Sequence, residues 1–249
     1  GGSASGSAYI FVRSGTSWSQ QAKLVASDAA AGDYFGTDVS ISGDYAIIGS
    51  SADSDGGAAS GSAYIFVRSG TSWSQQAKLV ASDAAAGDYF GSDVSISGDY
   101  AIIGSPGDDD GGSLSGSAYI FVRSGTSWSQ QAKLVASDDA AGEFFGVNVS
   151  ISGDYAIAGA PVNQYSVPAY QLRDDDGGDG SGSAYIFVRS GTSWSQQAKL
   201  EASDAAAGDN YGGAVSISGN NVIVGAPFND DSATNSGSAY IYKRYGASW

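Results

Sequence analysis

The chain is predicted to be all-β, a β-propeller built from four-stranded antiparallel blades of about 55 residues, with about four to five blades visible. Three observations predict it. A repeat opening Ser-Gly-Ser-Ala-Tyr-Ile begins at Ser5, Ser60, Ser115, Ser181 and Ser236. Three of the four spacings are 55 residues and one is 66, and the copies at Ser5 and Ser60 differ at six positions of 55. Each repeat holds four short apolar or alternating runs separated by Gly, Asp and Ser turns, and nowhere does a period of 3.6 persist over ten residues. A stacked array of hairpins is the rival architecture. Residues 1–249 read as one repeat domain with an insertion at about 162–173.

In the first copy a Tyr strand spans residues 8–13, where Tyr9, Phe11 and Arg13 alternate with Ala8, Ile10 and Val12. Its β-branched and aromatic content suits a strand part-buried on both faces. After a Ser14-Gly15-Thr16 turn comes a Trp strand over 18–26, with Trp18, Gln20, Ala22 and Leu24 expected on one face and an outer position expected from its polarity. A link containing Asp28 and Asp33 leads to Tyr34-Phe35-Gly36. The Val strand, 38–42, alternates Val39 and Ile41 with Ser40 and Ser42, a small polar face suited to a crowded inner position. Gly43-Asp44 fits a two-residue hairpin turn. The Ile strand, 45–49, is almost wholly apolar, as burial on both faces requires. An Asp- and Gly-rich loop then leads to the next Tyr strand.

Composition excludes several functions. Net charge is −15, from 26 acidic and 11 basic residues. That speaks against nucleic acid, whose phosphates demand clustered Lys and Arg, and against anionic membrane surfaces. With no Cys there are no disulfides and no thiol chemistry, and with no His the usual acid–base and nucleophile sets are missing. Two carboxylates suffice for a glycosidase, but no carboxylate is placed by the sequence in an apolar setting that would raise its pKa. A non-enzymatic role is expected. No apolar run reaches the length needed to span a membrane. The chain starts and stops inside a repeat, at Gly1 and Trp249, and so reads as a processed chain or a window of a longer array.

Two short marks recur in register. Phe-Gly stands at Phe35-Gly36, Phe90-Gly91 and Phe145-Gly146, with Tyr211-Gly212 in the last copy. Gly-Ala-Pro stands at Gly159-Ala160-Pro161 and Gly225-Ala226-Pro227, with Gly104-Ser105-Pro106 and Gly49-Ser50-Ser51 in the other copies. Together with the Gly-Ser-Ala-Tyr-Ile-Phe strand, these marks resemble FG-GAP repeats, the blades of integrin α-subunit propellers and of many bacterial surface proteins. The resemblance covers essentially the whole chain. It implies that the Phe-Gly strand is innermost, the Gly-Ala-Pro strand second, the Tyr strand third and the Trp strand outermost. The family often carries a calcium cage between its first two strands. Here that connection is only Ser42-Gly43-Asp44 or Ser218-Gly219-Asn220, too short to wrap an ion.

Candidate metal ligands lie elsewhere, in the acidic loops before each Tyr strand: Asp53, Asp55, Asp108, Asp109, Asp110, Asp174, Asp175, Asp176, Asp230 and Asp231. Clustered carboxylates with Gly can supply several of the oxygens that calcium needs, although the spacing is not that of an EF-hand and solvated Asp/Gly turns use the same residues. Asp28 and Asp33, with their counterparts Asp83/Asp88, Asp138/Glu143 and Asp204/Asp209, are expected to bond backbone amides at the blade crossing. Trp18, Trp73, Trp128 and Trp194 suit packing at a blade edge, or sugar stacking. In the insertion, Tyr165, Pro168, Tyr170 and Arg173 are residue types favoured at interface centres. Asn148-Val149-Ser150 fits a glycosylation acceptor but falls on an expected inner strand.

The leading functional expectation is an extracellular or cell-surface propeller module for adhesion or protein interaction. The alternatives are a self-assembling structural subunit joined through incomplete terminal blades, and a calcium-assisted carbohydrate-binding module. The partner is accordingly a protein, a glycan or copies of the chain itself.

Overall fold

The computed structural model describes residues 2–161, 180–231 and 233–249. The described residues contain no helix and form 17 strands in five antiparallel sheets. A two-stranded sheet pairs β1 (Ala8–Ser14) with β2 (Ser17–Leu24). Three four-stranded blades follow. The first is β3 (Val39–Ser42), β4 (Tyr45–Ser50), β5 (Ser62–Ser69) and β6 (Ser72–Leu79). The second is β7 (Val94–Ser97), β8 (Tyr100–Ser105), β9 (Ser117–Ser124) and β10 (Ser127–Leu134). The third is β11 (Asn148–Ser152), β12 (Tyr155–Ala160), β13 (Ser183–Ser190) and β14 (Ser193–Leu200). Last comes a three-stranded sheet of β15 (Ala214–Ser218), β16 (Asn221–Ala226) and β17 (Ser238–Lys243). Strand order in each blade is Val, Ile, Tyr, Trp, as the resemblance implies.

The blades stack face to face, and the core lies between them rather than inside any one. Ile47, Ala63, Ile65 and Leu79 of the first blade pack on Phe90, Val94, Ile96 and Ala101 of the second. Alternate residues of one strand therefore serve two cores: Ile47 faces the second blade while Ala46 and Ile48 face β1 and β2. That double duty is why the Ile and Tyr strands are apolar at nearly every position.

The inner strands run side by side in the order β3, β7, β11, β15. Each would present free backbone N–H groups along its inner edge. The preceding blade satisfies them with side chains. Val94, Ile96 and Gly98 donate N–H to Asp38 Oδ2, Ser40 Oγ and Ser42 Oγ at 2.9, 3.2 and 3.2 Å. Val149, Ile151 and Gly153 do the same to Asp93, Ser95 and Ser97, and Ile217 and Gly219 to Ser150 and Ser152. The Asp-x-Ser-x-Ser pattern is thus a ladder between blades.

The signature glycines serve the same seams. A Cβ on Gly49, Gly104 or Gly159 would lie 2.0, 1.9 or 2.2 Å from the carbonyl oxygen of Gly91, Gly146 or Gly212 in the next blade. Gly61, at φ +82°, forms an isolated parallel bridge with Phe90, where a Cβ would meet Phe90 O at 2.0 Å. The Gly43-Asp44 turn joins Ser42 to Tyr45, and only its first residue has positive φ, as a type II′ turn requires.

One expectation of strand geometry fails. The Trp strands do not alternate cleanly, because register jumps where Phe66 pairs with Gln75 and Ile65 with Ala77, leaving Gln76 as a β-bulge. The bulged glutamine is put to use: Trp128 donates its indole N–H to Gln76 Oε1 at 3.0 Å across the seam, and Trp73, Trp194 and Trp249 do likewise to Gln21, Gln131 and Gln197.

Candidate functional site

The two ends of each blade differ chemically. One rim carries the tight hairpins. There the Arg123 guanidinium lies 4.5 Å from the Tyr45 ring centroid and ion-pairs with Asp99, while Trp128 meets Tyr45 edge-on at 6.3 Å. Arg189 with Tyr100 and Trp194, and Arg244 with Tyr155 and Trp249, repeat the clasp. These tryptophans pack blades together, the first of the two uses expected for them. Trp18, at 66% exposure, is the exception.

The opposite rim carries the acidic loops and blade crossings, and it gathers the candidate ligands. Carboxylate oxygens of Asp28, Asp53 and Asp55 lie within 4.8 Å of one another, as do those of Asp83, Asp108 and Asp110. That spacing could hold a metal ion. In both clusters a lysine ammonium is seated among the oxygens. Lys78 Nζ donates to Asp28 at 2.8 Å, Asp53 at 3.0 Å and Asp55 at 2.5 Å. Lys133 Nζ donates to Asp83 at 2.8 Å, Asp108 at 2.9 Å and Asp110 at 2.5 Å. Tyr64 and Tyr119 donate their hydroxyls to Asp53 and Asp108 at 2.8 Å, and Ser117 adds a bond to Asp108 at 3.1 Å. Each cluster joins a blade crossing, a loop and the outermost strand.

The electrostatics follow from this seating. Burial alone would lower the Lys78 ammonium and raise Asp28, but their mutual hydrogen bond, with further bonds from the other carboxylates and Tyr64, outweighs it. The lysine is held well above its ordinary range and Asp28 below its own. Asp108 is depressed and Lys133 raised in the same way. In the last sheet Asn229 stands where Asp53 and Asp108 stand, and a neutral amide fills the buried seat, accepting from Ser238 Oγ at 2.8 Å.

The other expected ligands divide. Asp109 and Asp230 accept backbone N–H from Leu114 at 2.8 Å and Asn235 at 2.6 Å, as turn residues do. Asp231 sits beside Asp204, which raises its carboxyl. Asp174, Asp175 and Asp176 lie outside the described residues, as do Tyr165, Pro168, Tyr170 and Arg173. The segment that holds them leaves β12 after Ala160 and returns at Ser183, the rim of the acidic clusters. Of the crossing acids, Asp33, Asp88 and Asp209 bond backbone amides as expected, at 2.6–3.0 Å, whereas Asp28 and Asp83 join the lysine clusters. Sequence reasoning missed Lys78, Lys133 and Tyr64. Their signal was present: one lysine recurs at a fixed place in every Trp strand. Asn148 donates its amide to Gly213 O at 3.0 Å and is half-buried on β11, a poor glycan acceptor.

Against the expectation that none is raised, Asp88 and Asp139 are raised as well as Asp231, and Glu143 and Asp93 shift furthest. Burial, with Asp138 and Asp139 nearby, pushes Glu143 up to about 8, and its Oε2 has no hydrogen-bond partner. Burial beside Asp38 pushes Asp93 up to about 7. The folded chain therefore binds the Asp93 proton more tightly than the unfolded chain, so the Asp93 contribution to stability falls as pH rises from about 4 to about 7 and is level above that, while Glu143 carries its own fall on to about 8. The full shift corresponds to at most about 4 kcal/mol. Asp93→Asn, copying Asn148 in the next repeat, should remove this slope. Thermal melts from pH 4 to pH 8 should show the variant more stable at pH 8 and near the parent at pH 4. Parallel profiles would contradict the burial of a proton at Asp93.

A family model described as FG-GAP repeat matches residues 18–66, 73–121, 128–187 and 194–242. No curated protein matches the chain.

Proposed function

Because the chain belongs to the FG-GAP repeat family, we propose that it is a rigid, non-enzymatic interaction module. It works at the cell surface or outside the cell, in adhesion or surface structure, and binds a protein through the rim of the acidic loops. The observation that carries this reading is how the charged side chains are used. The recurrent Lys residues are tied to crossing aspartates, and each recurrent Arg is paired with an aspartate of its own blade while it stacks on a tyrosine of the blade before, so the chemistry of each repeat is spent on rigidity. What varies is the loop at one rim, above all residues 162–173, where the repeat breaks its own length. Variable loops on a stiff scaffold are a common place for recognition. Tyr165, Pro168, Tyr170 and Arg173 are the contact residues of this reading.

Replacing residues 162–179 by the shorter loop of the second repeat, 107–113, tests it. The variant should melt within about 1 °C of the parent, since the replacement loop is the one the second repeat already uses at the equivalent place. It should lose the protein that the immobilised parent retains from a surface extract of the source cells. Equal retention by both would remove the segment from recognition.

A further inference from the structure

The crossing into the third blade departs from its own repeat. Residues 27–33 read Ser-Asp-Ala-Ala-Ala-Gly-Asp, and residues 82–88 and 203–209 repeat them unchanged. Residues 137–143 read Ser-Asp-Asp-Ala-Ala-Gly-Glu, so Asp139 stands for an alanine and Glu143 for an aspartate. Among the described residues, these same two are the acids that bury a carboxylate oxygen with no hydrogen-bond partner, Oδ1 of Asp139 and Oε2 of Glu143. Glu143 is 7% exposed, and its counterparts Asp33, Asp88 and Asp209 are buried as well. Those aspartates accept a backbone N–H from three residues earlier. Glu143 takes that bond from Ala140, which leaves its second oxygen spare. Asp139 lies against the acidic loop of the second blade, where a Cβ on Gly111 would sit 1.6 Å from its Oδ2 and 3.0 Å from its Oδ1. Asp108, Asp110, Asp138 and Lys133 are the charges that act on Asp139, and Asp138, Asp139 and Lys199 those that act on Glu143. Both ammonium groups are held by other carboxylates, Lys133 by Asp83, Asp108 and Asp110 and Lys199 by Asp138 and Glu201.

We infer that Asp139 and Glu143 ligate a hard divalent cation of the calcium class at the crossing between the second and third blades. Buried carboxylate oxygens are ordinarily paired or bound to a metal, and here the sequence has added two to one seam without a partner for either. Asp139 Oδ1 and Glu143 Oε2 are the protein ligands, and water completes the shell. An all-oxygen donor set suits calcium or magnesium rather than a transition metal. Two carboxylates are few, which places the affinity at the weak end of calcium sites, a Kd of about 10⁻⁴–10⁻³ M. Protein prepared without added calcium therefore has nothing at this crossing for a chelator to remove. The lysine-filled clusters of the first and second blades are separate from it and keep their own cation. The inference is independent of residues 162–173 and survives if they bind nothing.

The test is a thermal melt of the full chain in CaCl2 from zero to about 10 mM, with NaCl adjusted to hold ionic strength constant. The midpoint should rise saturably, by roughly 3–10 °C at the highest concentration. The double variant Asp139→Ala with Glu143→Asp should lose the rise. It copies Ala84 and Asp88 of the preceding crossing, and a cooperative melt verifies that it folds. Glu143→Gln keeps the volume and removes the charge, and it should weaken the apparent calcium affinity about tenfold or more. An equal rise in the parent and the double variant overturns the proposal, since calcium would then act on the acidic surface at large. No saturable rise in the parent also overturns it, and a midpoint that then responds to pH alone assigns the two oxygens to a buried proton.

Discussion

Gly104→Ala should cost at least about 3 kcal/mol, the upper end of overpacking penalties. The added methyl would sit 1.9 Å from Gly146 O. That atom is backbone, in a strand entry whose own N–H is bonded to Gly159 O at 2.9 Å, so it cannot swing aside as a side-chain tip would. Relief requires the second and third blades to part, which uncovers the core around Ile102, Ala118 and Phe145. The melting midpoint should fall by roughly 6–12 °C, or the variant should fail to accumulate as folded protein. The control is Gly225→Ala. Gly225 is the same signature residue, at the end of β16, but its nearest neighbour to an added Cβ is Ala214 Cβ at 3.5 Å, ordinary contact. That change should lie within about 1 kcal/mol of the parent, since Ala in a strand interior is intrinsically no worse than Gly. If the two substitutions prove equally harmful, the glycine is needed for its backbone and not for the seam.

Lys133→Met should cost roughly 2–4 kcal/mol. It leaves the Asp108 side chain, 5% exposed, without its cation, while Asp83 and Asp110 remain close by. Orphaning one member of a buried pair is far more costly than replacing both. Lys133 keeps about one-fifth of its surface, so the lower half of that range is the better expectation. Denaturant unfolding should show it as a lower midpoint with unchanged slope. Lys133→Met with Asp108→Asn, which copies the amide at Asn229, should recover most of the loss. The same argument bears on calcium. With the ammonium as resident cation, EDTA should leave the parent's midpoint where it is; a fall on chelation would mean that a divalent ion holds the rim and that the lysine is secondary.

The repeat period, the four strands and their order were legible because each rests on local pattern. Alternation, Gly-Asp or Gly-Asn turns and two-sided apolarity are properties of neighbouring residues, and tandem copies display them four times. The seams were less legible. Asp38, Ser40 and Ser42 read as a small polar face, and their partners prove to be N–H groups 56 residues away in the chain. The acidic loops read as open ligand sets because the lysine that fills each one arrives from another strand, 23–25 residues beyond its loop partners and 50 beyond the crossing aspartate. The raised carboxyls of Asp93 and Glu143 had no signal in the sequence, since burial between blades is set by stacking. The Trp-strand bulge hid in an ordinary Gln-Gln pair.

The sequence by itself determined an all-β chain of FG-GAP repeats, because strand and turn chemistry is written within a few residues and repeated in register. Only the tertiary structure decided what the signature residues are for. Their contacts run between repeats, where each blade supplies the acceptors, cations and clearances that its neighbour lacks.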